Sequence, residues 1–256
     1  MAVSVAQWNV REGLAIPRQM PRIIEGVKRL DSDIVVLSDA FSLNNRLHGA
    51  QEATLGKANS DFMDLGYTGQ DAEYDDSVQW HHDRNIVMLS RVAVSSAGEV
   101  RLGTRSALEL KTAKGIHIVG AHFDDRDEET RVTQALAYVD HVQFEEAPVL
   151  IGDLNSTRAL RIGSLLQRPI AEALFSRLPE RVRRTADMTQ GRAMTLLKAS
   201  GFRDADKRHR PTVPSMVPIL QLDHCMVGRN VEVRSFDVAP RLLGSDHRAI
   251  QVSLSI

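Results

Sequence analysis

The run PVLIGD at 148–153 constrains this chain most, because four apolar residues lead directly into a glycine and a carboxylate. An apolar stretch this short fits a buried strand; it is too brief for a helix. Asp153 and Asn155 stand two residues apart. In extended backbone that spacing sends both side chains from one face, so a carboxylate able to orient a water would stand beside an amide able to donate to an oxyanion. Gly-Asp-x-Asn is also good turn chemistry, and Gly152 is expected to end the strand by letting the chain turn sharply.

The pattern recurs. Residues 3–8 alternate as a strand and stop at a polar loop, 9–13; residues 34–37 are apolar and finish at Ser38 and Asp39; residues 116–121 end at His122. Further strands are expected at 67–74, 85–89, 93–102, 106–111, 220–227, 231–238 and 249–256, with a turn at 244–247 before the last. Helical spacing appears at 18–30, 48–65 and 128–144 and over most of 158–200, while 203–218 reads as a proline-bearing loop. No internal repeat shows in the sequence. Strands outnumber helices and neighbours often read as hairpins. The expected class is therefore α/β, a four-layer sandwich of two mostly antiparallel sheets flanked by helices.

With 256 residues, 43% of them hydrophobic, the chain can bury a large core, and nothing in it reads as a linker. One domain over 1–256 is expected. A net charge of -1 excludes an overall electrostatic grip on nucleic acid but permits a local basic patch. The single cysteine, Cys225, rules out an intrachain disulfide framework and suits a reducing, cytoplasmic compartment. The first residues enter a strand-like alternation without a charged and apolar leader, so neither secretion nor a membrane span is expected. Oligomeric state is not legible.

Polar groups thus recur at strand ends: Asn9, Asp39, His122, Asp153 with Asn155, Asp223, and Asp246-His247. Taken singly, each is an ordinary cap or turn residue. Together, QWNV (7–10), DIVVLSD (33–39), RNIVMLSR (84–91), GAHFDDRDEETRVTQ (120–134), PVLIGDLN (148–155), LDHCMV (222–227) and SDHRAIQVSL (245–254) resemble the endonuclease/exonuclease/phosphatase superfamily, which shares the pancreatic deoxyribonuclease fold. The resemblance spans nearly the whole chain and is weakest at 158–218.

It implies a metal-dependent phosphoesterase that hydrolyses P–O bonds by direct attack of water, with a phosphodiesterase or nuclease placed ahead. The alternatives are a phosphomonoesterase acting on a small molecule or lipid headgroup, and a binding protein that kept the fold while losing activity. Asn9, Asp39 and Asp246 would supply hard oxygen ligands for Mg²⁺ or Mn²⁺. Asp153 would orient or deprotonate the water, and Asn155 and His122 would hold phosphoryl oxygens. His247 would stand beside the phosphate with Asp223 on its far ring nitrogen. Asn85, with Arg84 beside it, would touch substrate phosphate. The substrate is a phosphate ester, nucleic acid among the candidates.

The family usually closes its second motif with Gln-Glu, where this chain has Ser38-Asp39. Aspartate is one methylene shorter, about 1.5 Å of reach. The ion could shift toward the strand, Asp39 could act through a bound water, or Glu12 could take over; loss of activity is the fourth outcome. Other clusters receive plainer readings. Trp80-His81-His82-Asp83 is a cleft-rim loop, 124–129 a solvated helix start, and 177–184 and 207–210 are basic surface runs that could gather phosphate-rich substrates. Cys225 is a packing residue.

Overall fold

A strand whose two faces are both covered must be apolar on both, and β1 (Val3–Asn9) is: Val3 and Val5 belong to one buried cluster, Ala6 and Trp8 to another. The computed structural model describes residues 2–14, 16–40, 57, 60–71, 86–158, 184–185 and 187–256. Its other strands are β2 (Ile34–Ser38), β3 (Thr68–Asp71), β4 (Val87–Ser90), β5 (Val94–Leu102), β6 (Arg105–Thr112), β7 (His117–His122), β8 (Pro148–Asp153), β9 (Arg203–Asp204), β10 (Asp223–Val227), β11 (Glu232–Val238) and β12 (Ile250–Ser255). Helices α1 (Met20–Leu30), α2 (Glu128–His141) and α3 (Arg192–Ala199) accompany them.

The strands form two six-stranded sheets, in the orders β11-β12-β1-β2-β4-β3 and β5-β6-β7-β8-β10-β9. In each, the third and fourth strands are parallel and the remaining pairs antiparallel. The parallel pairs arise from two crossovers of one plan, β1-α1-β2 and β7-α2-β8. This is the expected sandwich, with a parallel centre in each otherwise antiparallel sheet.

Three apolar clusters separate the layers. The middle one joins Val5, Ile34, Val36 and Met88 of the first sheet to Leu110, Ile118, Val149, Ile151 and Cys225 of the second. A second packs Ile23, Val27 and Leu30 of α1 on Trp8 and Leu37; a third packs Ala135 and Tyr138 of α2 and Leu197 of α3 on Val119, Leu150 and Met226. Burying each such side chain stabilises the fold by about 1.5–3 kcal/mol.

Several sequence expectations shift. Helix α2 stops at His141, three residues short of the expected 144. Residues 60–64 are helical as part of the expected 48–65 segment, and residues 68–71 of the expected strand at 67–74 form β3, with 72–74 outside the described residues. The expected loop at 203–218 begins with β9 paired to β10, and its Val213 forms an isolated bridge with Leu220 beyond it. The turn at 124–129 is not a solvated helix start throughout. Asp127 caps α2 by accepting from Thr130 N at 2.7 Å, but Asp124 is buried against Arg105 at 3.3 Å, and buried Glu128 pairs with Arg131 at 2.7 Å.

Gly152 plays a different part from the one expected. It lies inside β8, and a Cβ there would meet the Ala121 carbonyl oxygen at 1.8 Å, so what it grants is closeness to β7 and not a turn. On the outer face of β10, buried His224 sets Nδ1 3.1 Å from Asp204 Oδ2 and Nε2 2.9 Å from the Ser156 carbonyl, bracing the loop after β8. Burial opposes the charged ring, yet Asp204 outweighs it and holds His224 above its ordinary 6.5. Burial likewise pushes Asp204 up, but His224 outweighs it and holds the carboxyl below 3.8.

Gly152→Ala is expected to cost about 3 kcal/mol through overpacking, read as a lower urea midpoint at unchanged slope. The ion pair makes stability depend on pH. The His224 contribution is complete below 6.5 and lost as pH rises through the higher folded value; that of Asp204 is complete above 3.8 and lost as pH falls through the lower one. His224→Gln should therefore lose more stability relative to the parent at about pH 5 than at about pH 9 in paired urea titrations.

Candidate active site

Strand pleat decides which side chains meet. On β1 the inner face reads Val3, Val5, Gln7, Asn9; on β2 Ile34, Val36, Ser38; on β7 Ile118, Gly120, His122; on β8 Val149, Ile151, Asp153. Each inner face is apolar until its C-terminal end and polar there. Register completes the arrangement: Asn9 lies opposite Ser38, His122 opposite Asp153, and Asp153 opposite Asp223, the first residue of antiparallel β10. Below them, Gln7 Nε2 donates to Ser38 Oγ at 3.2 Å.

Oδ2 of Asp153 is the focus. Asn9 Nδ2 donates to it at 2.9 Å, and the Nε2 atoms of His122 and His247 both stand 3.7 Å away, beyond hydrogen-bond range. His247 Nδ1 lies 2.9 Å from Asp223 Oδ2, which also accepts from Thr212 Oγ1 at 2.6 Å. With Nδ1 committed to Asp223, the His247 ring directs Nε2 at Asp153. Burial pushes Asp153 up to about 6 against the opposing charge of His247. Burial disfavours the His247 cation, but the carboxylates of Asp223 and Asp153 outweigh it and raise the ring to about 10.

Asn155 reaches the site differently from the expected extended geometry. The strand ends at Asp153, Asn155 has φ +46°, and its N–H donates to Asp153 Oδ1 at 2.9 Å while its Nδ2 donates to the Phe123 carbonyl at 3.0 Å. The turn reading of Asp-x-Asn holds, and the turn sets the Asn155 amide beside Asp153.

Asp39 and Asp246 line a neighbouring cleft of about 830 Å³ together with Arg11, Glu12, Ser245 and the apolar Pro214, Met216 and Val217. Asp39 is buried, with φ +54°. Asp246 is half-exposed and pairs with Arg11 Nη1 at 3.2 Å. Asn9 connects cleft and focus: its Oδ1 accepts from Arg11 N at 3.0 Å and its carbonyl from Ser245 Oγ at 2.5 Å, and Ser245 Oγ in turn accepts from His247 N at 2.9 Å. Carboxylate and amide oxygens such as those of Asp39, Asp246 and Asn9 are hard donors of the kind that suits Mg²⁺ or Mn²⁺; among the described residues the ligand atoms of Asp153, Asp223 and His247 lie within 4.8 Å of one another.

Asn85 and Arg84 lie outside the described residues, as do Trp80-His81-His82-Asp83 and most of the basic run at 177–184. Arg184 pairs with Asp125 at 3.3 Å, and Arg210 with Asp206 and Asp237, so neither reads as a bare basic surface. Cys225 is buried in the middle layer, and burial pushes its thiol far up, as suits packing. Thr212, Ser245, Arg11 and Trp8, whose Nε1 donates to the His247 carbonyl at 3.2 Å, were not legible as site residues. Ser245 and Trp8 carried a signal, their places in the last and first motifs.

No protein-family model matches this chain, and no curated protein matches its sequence. Solved structures do. An endonuclease/exonuclease/phosphatase from Beutenbergia cavernae DSM 12333 superposes at TM-score 0.73 with 17% identity, over 100% of this chain and 72% of that one. An AP endonuclease from Archaeoglobus fulgidus gives 0.66 at 14% identity, over 99% and 100%. A variant of the 3' phosphatase NExo from Neisseria, bound to product DNA hairpin, gives 0.67 at 11% identity, over 100% of both. Two mixed sheets, flanking helices and these likenesses identify the fold as that of the endonuclease/exonuclease/phosphatase, DNase I-like proteins.

Proposed function

We propose that residues 1–256 form a single cytoplasmic phosphoesterase domain that hydrolyses P–O bonds with Mg²⁺ or Mn²⁺, a phosphodiester or nucleic-acid substrate standing ahead of a monoester. The observation that carries this reading is the convergence of Asn9, His122 and His247 on one oxygen of buried Asp153, beside a cleft holding the carboxylates of Asp39 and Asp246. The AP endonuclease and the DNA-bound 3' phosphatase, which share the fold, support it from outside.

In this reading Asp153 accepts a proton from the attacking water. A carboxylate held near 6 is ionised at neutral pH yet basic enough to help. As the new P–O bond forms, the ester P–O bond breaks and its electron pair leaves with the departing oxygen. His247 and His122, both turned toward Asp153, meet the charge that builds on the phosphoryl oxygens, and the second amide hydrogen of Asn155 adds a donor. Asp223, anchored by Thr212, keeps His247 in its orientation and charged. Asp39, Asp246 and Asn9 would hold a divalent ion, which when bound would supply charge neutralisation at the phosphate. Asn85 and Arg84 are assigned to substrate phosphate on the resemblance alone.

One observation favours a second reading, a binding protein with weakened chemistry. The guanidinium on Asp246 is a cation already in place, and Asp39 is shorter than the glutamate the fold family usually carries.

Turnover of bis-p-nitrophenyl phosphate and of its monoester, with Mn²⁺ and with EDTA, separates the readings. EDTA-sensitive turnover is expected, with the diester ahead. Asp153→Asn should lower kcat about 10²- to 10³-fold, and Asp39→Ala should abolish the metal-dependent part. Absence of EDTA-sensitive turnover in the parent chain would select the binding protein, and unchanged turnover in Asp39→Ala would remove Asp39 from the metal site.

A further inference from the structure

The outer face of the second sheet turns two histidines onto one carboxylate at the end of β7 away from the cleft. Glu109 comes from β6, His117 from the start of β7, and His141 is the last residue of α2. His117 Nε2 lies 2.6 Å and His141 Nε2 2.7 Å from the same oxygen, Oε2 of Glu109. Glu145 completes the surround: Lys111 Nζ holds its Oε1 at 2.7 Å, leaving Oε2 3.6 Å from His117 Nδ1. His117 is 1% exposed, and its Nδ1 has no hydrogen-bond partner among the described residues.

We propose that Glu109, His117 and His141 bind a transition-metal cation, Zn²⁺ by chemical class, at a site separate from the catalytic cleft. Two imidazoles and one carboxylate match the donors zinc takes, and imidazole is a poor ligand for Mg²⁺ or Ca²⁺. The three ligand atoms lie within 4.8 Å of one another. Tetrahedral zinc with bonds near 2.0 Å needs ligand separations of about 3.3 Å, so the cluster must open by about 0.6 Å. Glu109 and His141 are partly exposed and can move by that much.

The buried ring gives the independent reason. A neutral imidazole carries one N–H. If that hydrogen points from Nε2 to Glu109, the lone pair of Nδ1 faces the Glu145 carboxylate, acceptor against acceptor. A metal on Nε2 moves the hydrogen to Nδ1, where it points at Glu145 Oε2, the carboxylate-histidine-metal arrangement that fixes a ligand ring. The C-terminal carbonyls of α2 add partial negative charge beside His141. Three protein ligands leave a fourth position for water, and the ion would pin β6, β7 and the end of α2 together.

The test is zinc binding by the chelator-treated full chain, followed by calorimetry and by thermal unfolding, with millimolar Mg²⁺ present to occupy the cleft. The parent is expected to bind one equivalent of Zn²⁺ that His141→Ala and Glu109→Gln bind at least about tenfold more weakly, and Asp246→Asn is expected to retain that equivalent. Zinc should raise the Tm of the parent and of Asp246→Asn, and not that of His141→Ala. Equal stoichiometry and affinity in the parent, His141→Ala and Glu109→Gln would overturn the proposal and leave a hydrogen-bonded histidine cluster only; loss of the equivalent in Asp246→Asn alone would assign the zinc to the cleft.

Discussion

Every second side chain of a strand points the same way, and in this protein one set of alternate positions supplies both the core and the candidate site. The inner-face residues of β1, β7, β8 and β10 are apolar through the middle of the sandwich and become Asn9, His122, Asp153 and Asp223 at one edge. A slip of one residue in any of these strands would turn its polar terminus outward and expose its valines and isoleucines. The apolar contact between the sheets therefore sets the positions of the site residues as well as holding the layers.

Asp153 shows how a buried carboxylate is kept at that edge. Removing its charge from water is costly, and the raised proton affinity expresses that cost. Asn9 Nδ2, Asn155 N–H and the nearby His247 offset part of it. His247 in turn depends on Asp223, and Asp223 on Thr212, so the geometry of one oxygen rests on a chain that begins in the loop before β10.

The layers were readable in the sequence because strand-length apolar runs with polar ends are a local signal, and the inter-layer clusters contain the residues of those runs. Asn9, Asp153, His122 and Asp223 sat at such ends. Thr212, Arg11 and the His224–Asp204 pair did not, since their roles come from loops folding back over the sheets, which no periodicity encodes. Gly152 was misread because a glycine at a strand end suggests a turn, whereas its reason is a carbonyl on the neighbouring strand. The grouping of Glu109, His117 and His141 was equally hidden: the three are 8 and 24 residues apart and meet only because β6 pairs with β7 and α2 returns across them.

The two crossovers of matching plan divide the candidate site residues between them. The unit containing β1 and β2 brings Asn9 and Asp39, and the unit containing β7 and β8 brings His122 and Asp153. Neither half owns a complete set, and the hydrogen bond from Asn9 to Asp153 spans the seam between them. Any excursion that parts the layers, however brief, separates Asn9 from Asp153 before either half has unravelled, so the grouping of these residues is tied to closure of that seam and not to the integrity of any single unit.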